Sequence, residues 1–338
     1  MKSEVPLSWK NKLTVYFNDP NLKIIKLKGD GSGRHYYRIE ENSGVSLAII
    51  MQVFEQDKVL LQRQSYPWTN INSYLHQNAI NVPEIFFIDK NSGIICMQDL
   101  GSIHLFDHVQ NKPTGEVISA YKRAIDIINE FHSFQVDQTQ VWCKRAFDAA
   151  KLKTELDKFY EHYLTGTVGV KFTDRQISMW RAETKDLCEY LASFSKYFTH
   201  RDFHSRNILV HEGRLSVIDF QDAMIGSPSY DLISLVYDPY VNLPKLIRDP
   251  LIDYCVSISK NHVQHEILTS MKATGLQRLL KILGTYGFFE NSLNLKGFIK
   301  YCEPTLEFLL DLFESPDKRW PFLTGELIEI LKCQGNKS

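Results

Sequence analysis

Apolar positions along the first hundred residues fall in short runs broken by turn residues, the pattern of strands. Leu22–Leu27 alternates, a glycine-rich turn follows at Gly29–Gly33, and Tyr36–Glu40 and Ser46–Val53 read as further strands. A helix is predicted over Thr69–Ala79, then a strand from Val82 to Ile88, a turn at Asn91–Gly93 and a strand at Ile94–Met97. Beyond Gly101 the period lengthens. Tyr121, Ala124, Ile125, Ile128 and Phe131 form one broad stripe, which predicts a core-facing helix over Tyr121–Phe134. Leu152–Tyr163, Gln176–Phe194 and much of Leu243–Leu331 are helical by the same criterion, with a frayed tail at Gln334–Ser338. A short β segment, Tyr197–Val210 and Leu215–Phe220, interrupts the helices, and polar residues cluster there. The fold class is therefore α+β, with a β-rich N-terminal lobe at 1–97, a connector at 98–101 and a mostly helical C-terminal lobe at 102–338. A cleft between two such lobes is where a ligand is expected.

Composition narrows the function classes. The chain has 338 residues, 43% of them hydrophobic and 23% charged, within the ordinary range for a globular protein. With 39 basic and 40 acidic side chains the formal net charge is −1, which predicts neither a nucleic-acid partner nor a membrane surface. Apolar runs such as Leu47–Met51 are strand-sized, and the N-terminus shows no signal-peptide pattern. Six scattered cysteines (Cys96, Cys143, Cys188, Cys255, Cys302 and Cys333) with no C-x-x-C pair predict reduced thiols in a cytoplasmic protein.

The densest cluster of chemistry is Thr199-His200-Arg201-Asp202-Phe203-His204-Ser205-Arg206-Asn207, followed by Val217-Ile218-Asp219-Phe220. It has the H-x-D-x-x-x-x-N spacing of a phosphoryl-transfer loop, with a second Asp after the next hairpin. Phosphoryl transfer needs an acceptor hydroxyl held in line and Mg²⁺ on the phosphate oxygens. Asp202 suits the first task as the catalytic base. Asn207 and Asp219 offer the oxygen ligands that Mg²⁺ prefers. A bland alternative is a loop Asp and Asn that serve turn chemistry. A rival with His200, Asp202 and His204 as metal-hydrolase ligands lacks an H-x-H pair or a second His cluster.

Lys28-Gly29-Asp30-Gly31-Ser32-Gly33-Arg34 lies between two predicted strands. Its glycines allow backbone N–H groups to close over phosphates, with Arg34 adding charge, although the same residues also make a good hairpin turn. Asp231, in Ser229-Tyr230-Asp231-Leu232, reads both as a helix N-cap and as a brace for the loop through backbone N–H groups.

These residues resemble the aminoglycoside-phosphotransferase-like branch of the protein-kinase-like superfamily. Within it the chain is most similar to the anomeric kinases of cell-wall recycling that phosphorylate N-acetylmuramate and N-acetylglucosamine. The likeness runs through Gly29–Arg38, Gln98-Asp99-Leu100-Gly101, His200–Asn207, Asp219-Phe220-Gln221-Asp222-Ala223, Tyr230-Asp231-Leu232 and Leu276–Gly284. It implies a bilobal protein-kinase-like fold, ATP and Mg²⁺ as cofactors, and a cytoplasmic enzyme acting on an amino sugar. It also implies ATP contacts from Gly29, Asp30, Gly31, Ser32, Gly33 and Arg34, with the backbone of Gln98, Asp99 and Leu100 meeting adenine. Arg201, His204 and Asp222 are the candidate substrate-lining residues. The wider superfamily carries a Lys on its third strand, whereas Ser46–Val53 has none, and Thr69–Ala79 has no partner Glu. Two alternatives stay open: a kinase for an aminoglycoside, choline or amino alcohol, and a nucleotide-binding pseudokinase.

Overall fold

Alternation of side chains across a pleated strand builds the first sheet. A helix, α1 (Leu7–Phe17), precedes β1 (Lys23–Lys26), β2 (His35–Glu40), β3 (Ser46–Gln52), α2 (Lys58–Gln62), α3 (Pro67–Gln77), β4 (Ile85–Asp89) and β5 (Ile94–Met97). The five strands form an antiparallel sheet in the order β1-β2-β3-β5-β4. Register puts Tyr37 opposite Ile50 and Ile50 opposite Cys96, so these three share one row. With Ile39, Ala48 and Ile94 they make a buried face, onto which α1 lays Trp9 and Leu13. The alternation in the sequence predicts the strands but not α1. Only Trp9 and Leu13 of its eleven residues are buried, while Leu7, Val15 and Tyr16 are exposed, so no apolar stripe marks it. Helix α3 starts two residues before the predicted Thr69, at Pro67, a position where proline costs no hydrogen bond. It stops before Ala79, whose φ of 61° is left-handed.

The computed structural model describes residues 5–27 and 34–335. Gly29, Asp30, Gly31, Ser32 and Gly33 lie outside the described residues, as do residues 336–338 of the predicted tail. Contacts group the chain into two units, Met1–Ile103 with Leu209–Gln221, and His104–Ile208 with Asp222–Ser338. Leu209–Gln221 joins the first unit through Asn81 and Ile103. Val217 N–H donates to Asn81 O at 2.8 Å, and Val210 N–H donates to Ile103 O at 2.8 Å.

In the second unit, α4 (Leu105–His108) leads to α5 (Thr114–Ser133), α6 (Ala149–Lys158) and α7 (Asp174–Ala192). Four short strands follow in the chain, β6 (Tyr197–Thr199) and β9 (Met224–Gly226) in this unit, and β7 (Ile208–His211) and β8 (Arg214–Val217) mostly within Leu209–Gln221 of the first. Of these, β6 pairs with β9, while β7 and β8 pair with each other. Helices α8 (Tyr230–Val236), α9 (Lys245–Ile258), α10 (Asn261–Leu293), α11 (Cys302–Leu312) and α12 (Leu327–Gly335) complete it. The predicted stripe of α5 is buried, and Phe131 packs on Phe198 and Phe203 at 4.8 and 5.6 Å between ring centroids. The long helix α10, 33 residues and about 50 Å at 1.5 Å per residue, is buried at every position from Ala273 to Leu280. Its period predicts a helix but not what presses on it. The segment Phe159–Thr167, where α6 widens into a π-helical turn, crosses α10 closely. A Cβ added at Gly284 lies 2.6 Å from Phe159 N, and one at Gly287 lies 2.7 Å from His162 C, so backbone meets backbone and only hydrogen fits.

Cys96, Cys143, Cys188, Cys255 and Cys302 are buried free thiols, and Cys333 is exposed. Among the described residues no helix is long and apolar enough to cross a membrane.

Candidate functional site

The loop His200–Asn207 connects β6 to β7 and is held by two carboxylates, one at each end of α8. Asp231, in the first turn of α8, accepts the backbone N–H of His200 at 2.7 Å and of Arg201 at 3.0 Å. Burial pushes its pKa up to about 6, against the pull of His200, these two N–H donors and Arg278. Seven residues on, past the C-terminus of α8, Asp238 accepts the N–H of Ser205 at 3.0 Å and also its hydroxyl. The sequence marks Asp231 as a brace. Asp238 carries no motif and is found only in the structure, although its spacing of two helical turns from Asp231 is a usable signal.

Between those anchors the backbone of Arg201 has φ 79°, a left-handed conformation that costs a non-glycine residue about 1–2 kcal/mol. That turn presents Asp202, whose side chain is 35% exposed. Asn207 closes the loop from the other end, its Nδ2 donating to Asp202 O at 2.9 Å. Asn207 is buried, and among the described residues its Oδ1 accepts no hydrogen bond.

Two cations from α10 face the Asp202 carboxylate. Lys281 Nζ is 3.3 Å and Arg278 Nη1 4.0 Å from Oδ1. They are three residues apart and so share a helix face. Burial favours the neutral acid, but the charges of Lys281, Arg278 and Arg201 outweigh it and hold Asp202 well below the usual carboxylate range. The group is thus an anion throughout the neutral range. Arg278 and Lys281 lie within the resembling stretch Leu276–Gly284, which assigns them no role; a buried arginine with a lysine one turn on is the signal for one.

Of the candidate substrate residues, Arg201 turns its guanidinium inward, 3.0 Å from Glu155 Oε1 and over the Phe147 ring. His204 lies against Tyr240, with centroids 5.3 Å apart, and its Nδ1 accepts the Arg206 N–H at 3.3 Å. Burial brings its pKa down to about 4, which keeps the ring neutral. Asp222 is exposed. Beside them Arg206 stacks on Tyr240 at 3.8 Å and donates to Tyr301 Oη at 2.7 Å.

Within the first unit Asp219 follows β8 with φ 62°, a conformation that Asp and Asn tolerate better than most residues. Gln221 Nε2 donates to its Oδ1 at 2.8 Å, and Arg34 Nη1 lies 3.9 Å from the same atom. The neighbouring Phe220 packs on Trp68 of α3, with centroids 5.3 Å apart. In the connector the Asp99 carboxylate is committed to structure. It receives Arg38 Nε at 2.6 Å, the Ser46 hydroxyl and the Gly101 N–H at 2.8 Å. Gln98 N–H donates to Glu84 O at 2.8 Å, and Leu100 is buried.

Residues 23–256 match the phosphotransferase enzyme family. The chain belongs to that family. Asp202, Asn207, Asp219 and Asp231 all fall in the matched region, whereas Arg278 and Lys281 lie beyond it. A curated N-acetylmuramate/N-acetylglucosamine kinase of Neisseria meningitidis serogroup B is 25% identical over 284 residues, covering 82% of this chain and 81% of that one. An aminoglycoside phosphotransferase with ADP bound is similar in structure, with a TM-score of 0.60 at 13% identity, over 91% of this chain and 99% of that one. A choline/ethanolamine kinase family protein from Mesorhizobium loti gives 0.61 at 12% identity, over 94% and 98%. At such identities the structural likeness speaks to the fold, an α+β phosphotransferase fold with a β-rich and a helical unit.

Proposed function

We propose that this phosphotransferase uses ATP and Mg²⁺ to phosphorylate the anomeric hydroxyl of an N-acetyl amino sugar, N-acetylmuramate or N-acetylglucosamine, in the cytoplasm. The observation that carries the reading is the cationic setting of Asp202, with Lys281 at 3.3 Å and Arg278 at 4.0 Å. An acceptor hydroxyl that donates to Asp202 comes within reach of both. A substrate ammonium about 5 Å from one such cation is repelled by roughly 3 kcal/mol at an effective dielectric of 20. An anomeric centre suits the pair better. Its hydroxyl donates to Asp202 while the ring oxygen on the same carbon accepts from Lys281. The similarity to the N-acetylmuramate/N-acetylglucosamine kinase supports the same substrate class.

The residues present fit the cofactors. Asn207 Oδ1 and the Asp219 carboxylate are hard oxygen donors of the kind Mg²⁺ prefers, and the Asn207 oxygen is not committed to another hydrogen bond among the described residues. When bound, ATP with Mg²⁺ supplies the phosphoryl group and neutralises charge on its oxygens. Asp202 accepts the hydrogen bond of the acceptor hydroxyl and orients it, and Lys281 and Arg278 keep that carboxylate ionised. With no Lys on β3, Arg34 is the described cation assigned to the phosphates, next to the glycines at 29, 31 and 33. In this assignment 1–97 serves the nucleotide, 98–101 is the connector whose backbone meets adenine, and 102–338 carries the loop and the acceptor site.

ADP release from Mg-ATP is measured with N-acetylmuramate, N-acetylglucosamine, glucose, an aminoglycoside and choline. Turnover on the N-acetyl sugars is expected to exceed that on the amines by about 100-fold, the equivalent of that repulsion. Activity on the amines alone contradicts the sugar assignment and leaves the phosphotransferase. Silence on all five, with nucleotide bound, favours a non-catalytic nucleotide-binding module.

A further inference from the structure

We infer that Glu155 is a positioning residue for Asp202, acting through Arg201; the inference rests on the assignment of Asp202 to the acceptor hydroxyl. Glu155 sits on α6, far from the loop in sequence, and its side chain is only 7% exposed. A carboxylate is not buried there for its own sake, because an unpaired one is strongly disfavoured in such surroundings. Its two oxygens are divided between two partners. Oε1 accepts Arg201 Nη2 at 3.0 Å, and Oε2 accepts Gln277 Nε2 at 3.0 Å.

Arg201 is the left-handed residue immediately before Asp202, with φ 79°. Strained backbone of that kind persists only where the surroundings over-determine it. Here they do so at three points. Asp231 takes the Arg201 N–H, Arg278 Nη1 donates to the Arg201 carbonyl at 3.1 Å, and Glu155 fixes the far end of the side chain. Arg278 and Gln277 are neighbours on α10, so the helix that brings a cation to Asp202 also ties Glu155 down. The guanidinium, 13% exposed, is used as a tether for the backbone and not as a substrate contact. Glutamate at 155 thereby sets the direction in which Asp202 points.

Three variants test this: Glu155→Gln, Arg201→Gly, and the two combined. Glycine adopts a left-handed φ without strain, so it removes the need for the tether. Glu155→Gln is expected to lower kcat by about 10- to 100-fold while KM for the acceptor and for ATP changes less than about threefold, the pattern of lost orientation. Adding Arg201→Gly is expected to recover a large part of that kcat. Hydrogen exchange over residues 199–207 reads the same claim without turnover. Exchange there is expected to accelerate in Glu155→Gln while α5 stays protected. Accelerated exchange in a protein that phosphorylates none of the sugars keeps the tether and rejects only the substrate assignment. Unchanged kcat and unchanged loop exchange in Glu155→Gln overturn the inference. A raised acceptor KM in Arg201→Gly overturns it too, since it makes Arg201 a substrate contact. If Glu155→Gln does not fold, the combined variant decides alone: near-native kcat supports the tether, and lost kcat with raised acceptor KM refutes it.

Discussion

Asp202→Asn is expected to fold, bind nucleotide and turn over roughly 1,000-fold more slowly than the native protein, within the range by which a positioned acid–base group contributes. Asparagine keeps the shape of the side chain and one acceptor oxygen for Lys281, so the neighbourhood need not rearrange. What it loses is the charge that balances Lys281 and Arg278 and that is proposed to accept the hydrogen bond of the acceptor hydroxyl. The comparison is a single-turnover rate at saturating Mg-ATP, with thermal midpoint and nucleotide affinity measured alongside. Native turnover in this variant removes Asp202 from the reaction, whatever else binds nearby.

Asp219→Asn is expected to weaken Mg²⁺-dependent nucleotide binding by about 100-fold, the upper end of what losing a supporting partner of a metal ligand costs. Asparagine is the informative substitution because φ at 219 is 62°, where alanine adds backbone strain to the loss of charge. The amide retains an acceptor for Gln221 Nε2, so the local turn survives. Titration of nucleotide with and without Mg²⁺ separates the contributions. The native protein is expected to gain affinity from the metal and the variant to gain little. Equal gains in both contradict the assignment of Asp219 as a ligand.

How much of this the sequence discloses depends on the range of the interactions. The stripe of α5 and the strands β2, β3 and β5 are visible because their periods are local and their buried faces continuous. The loop His200–Asn207 is visible because its chemistry is packed into eight residues. Helix α1 is hidden because two buried residues give no stripe. Asp238, Glu155, Arg278 and Lys281 are hidden for another reason. Each acts on a partner at least 33 residues away, across elements whose packing no local pattern specifies. Gly284 and Gly287 show the same limit, since helical period says nothing of the backbone that presses on them at Phe159–Tyr163. Arg201 is the sharpest case. Beside Asp202 in the sequence it reads as a substrate residue, and in the folded chain its guanidinium faces Glu155.

The central claim, transfer to an anomeric hydroxyl positioned by Asp202, is tested most directly by the fate of the sugar's reducing end. N-acetylmuramate and N-acetylglucosamine are each incubated with Mg-ATP, and ADP formed is compared with reducing ends lost. One reducing end lost for each ADP, with neither change in Asp202→Asn, is the predicted result. ADP formed while the reducing end persists places the phosphate on another hydroxyl or on water and contradicts it.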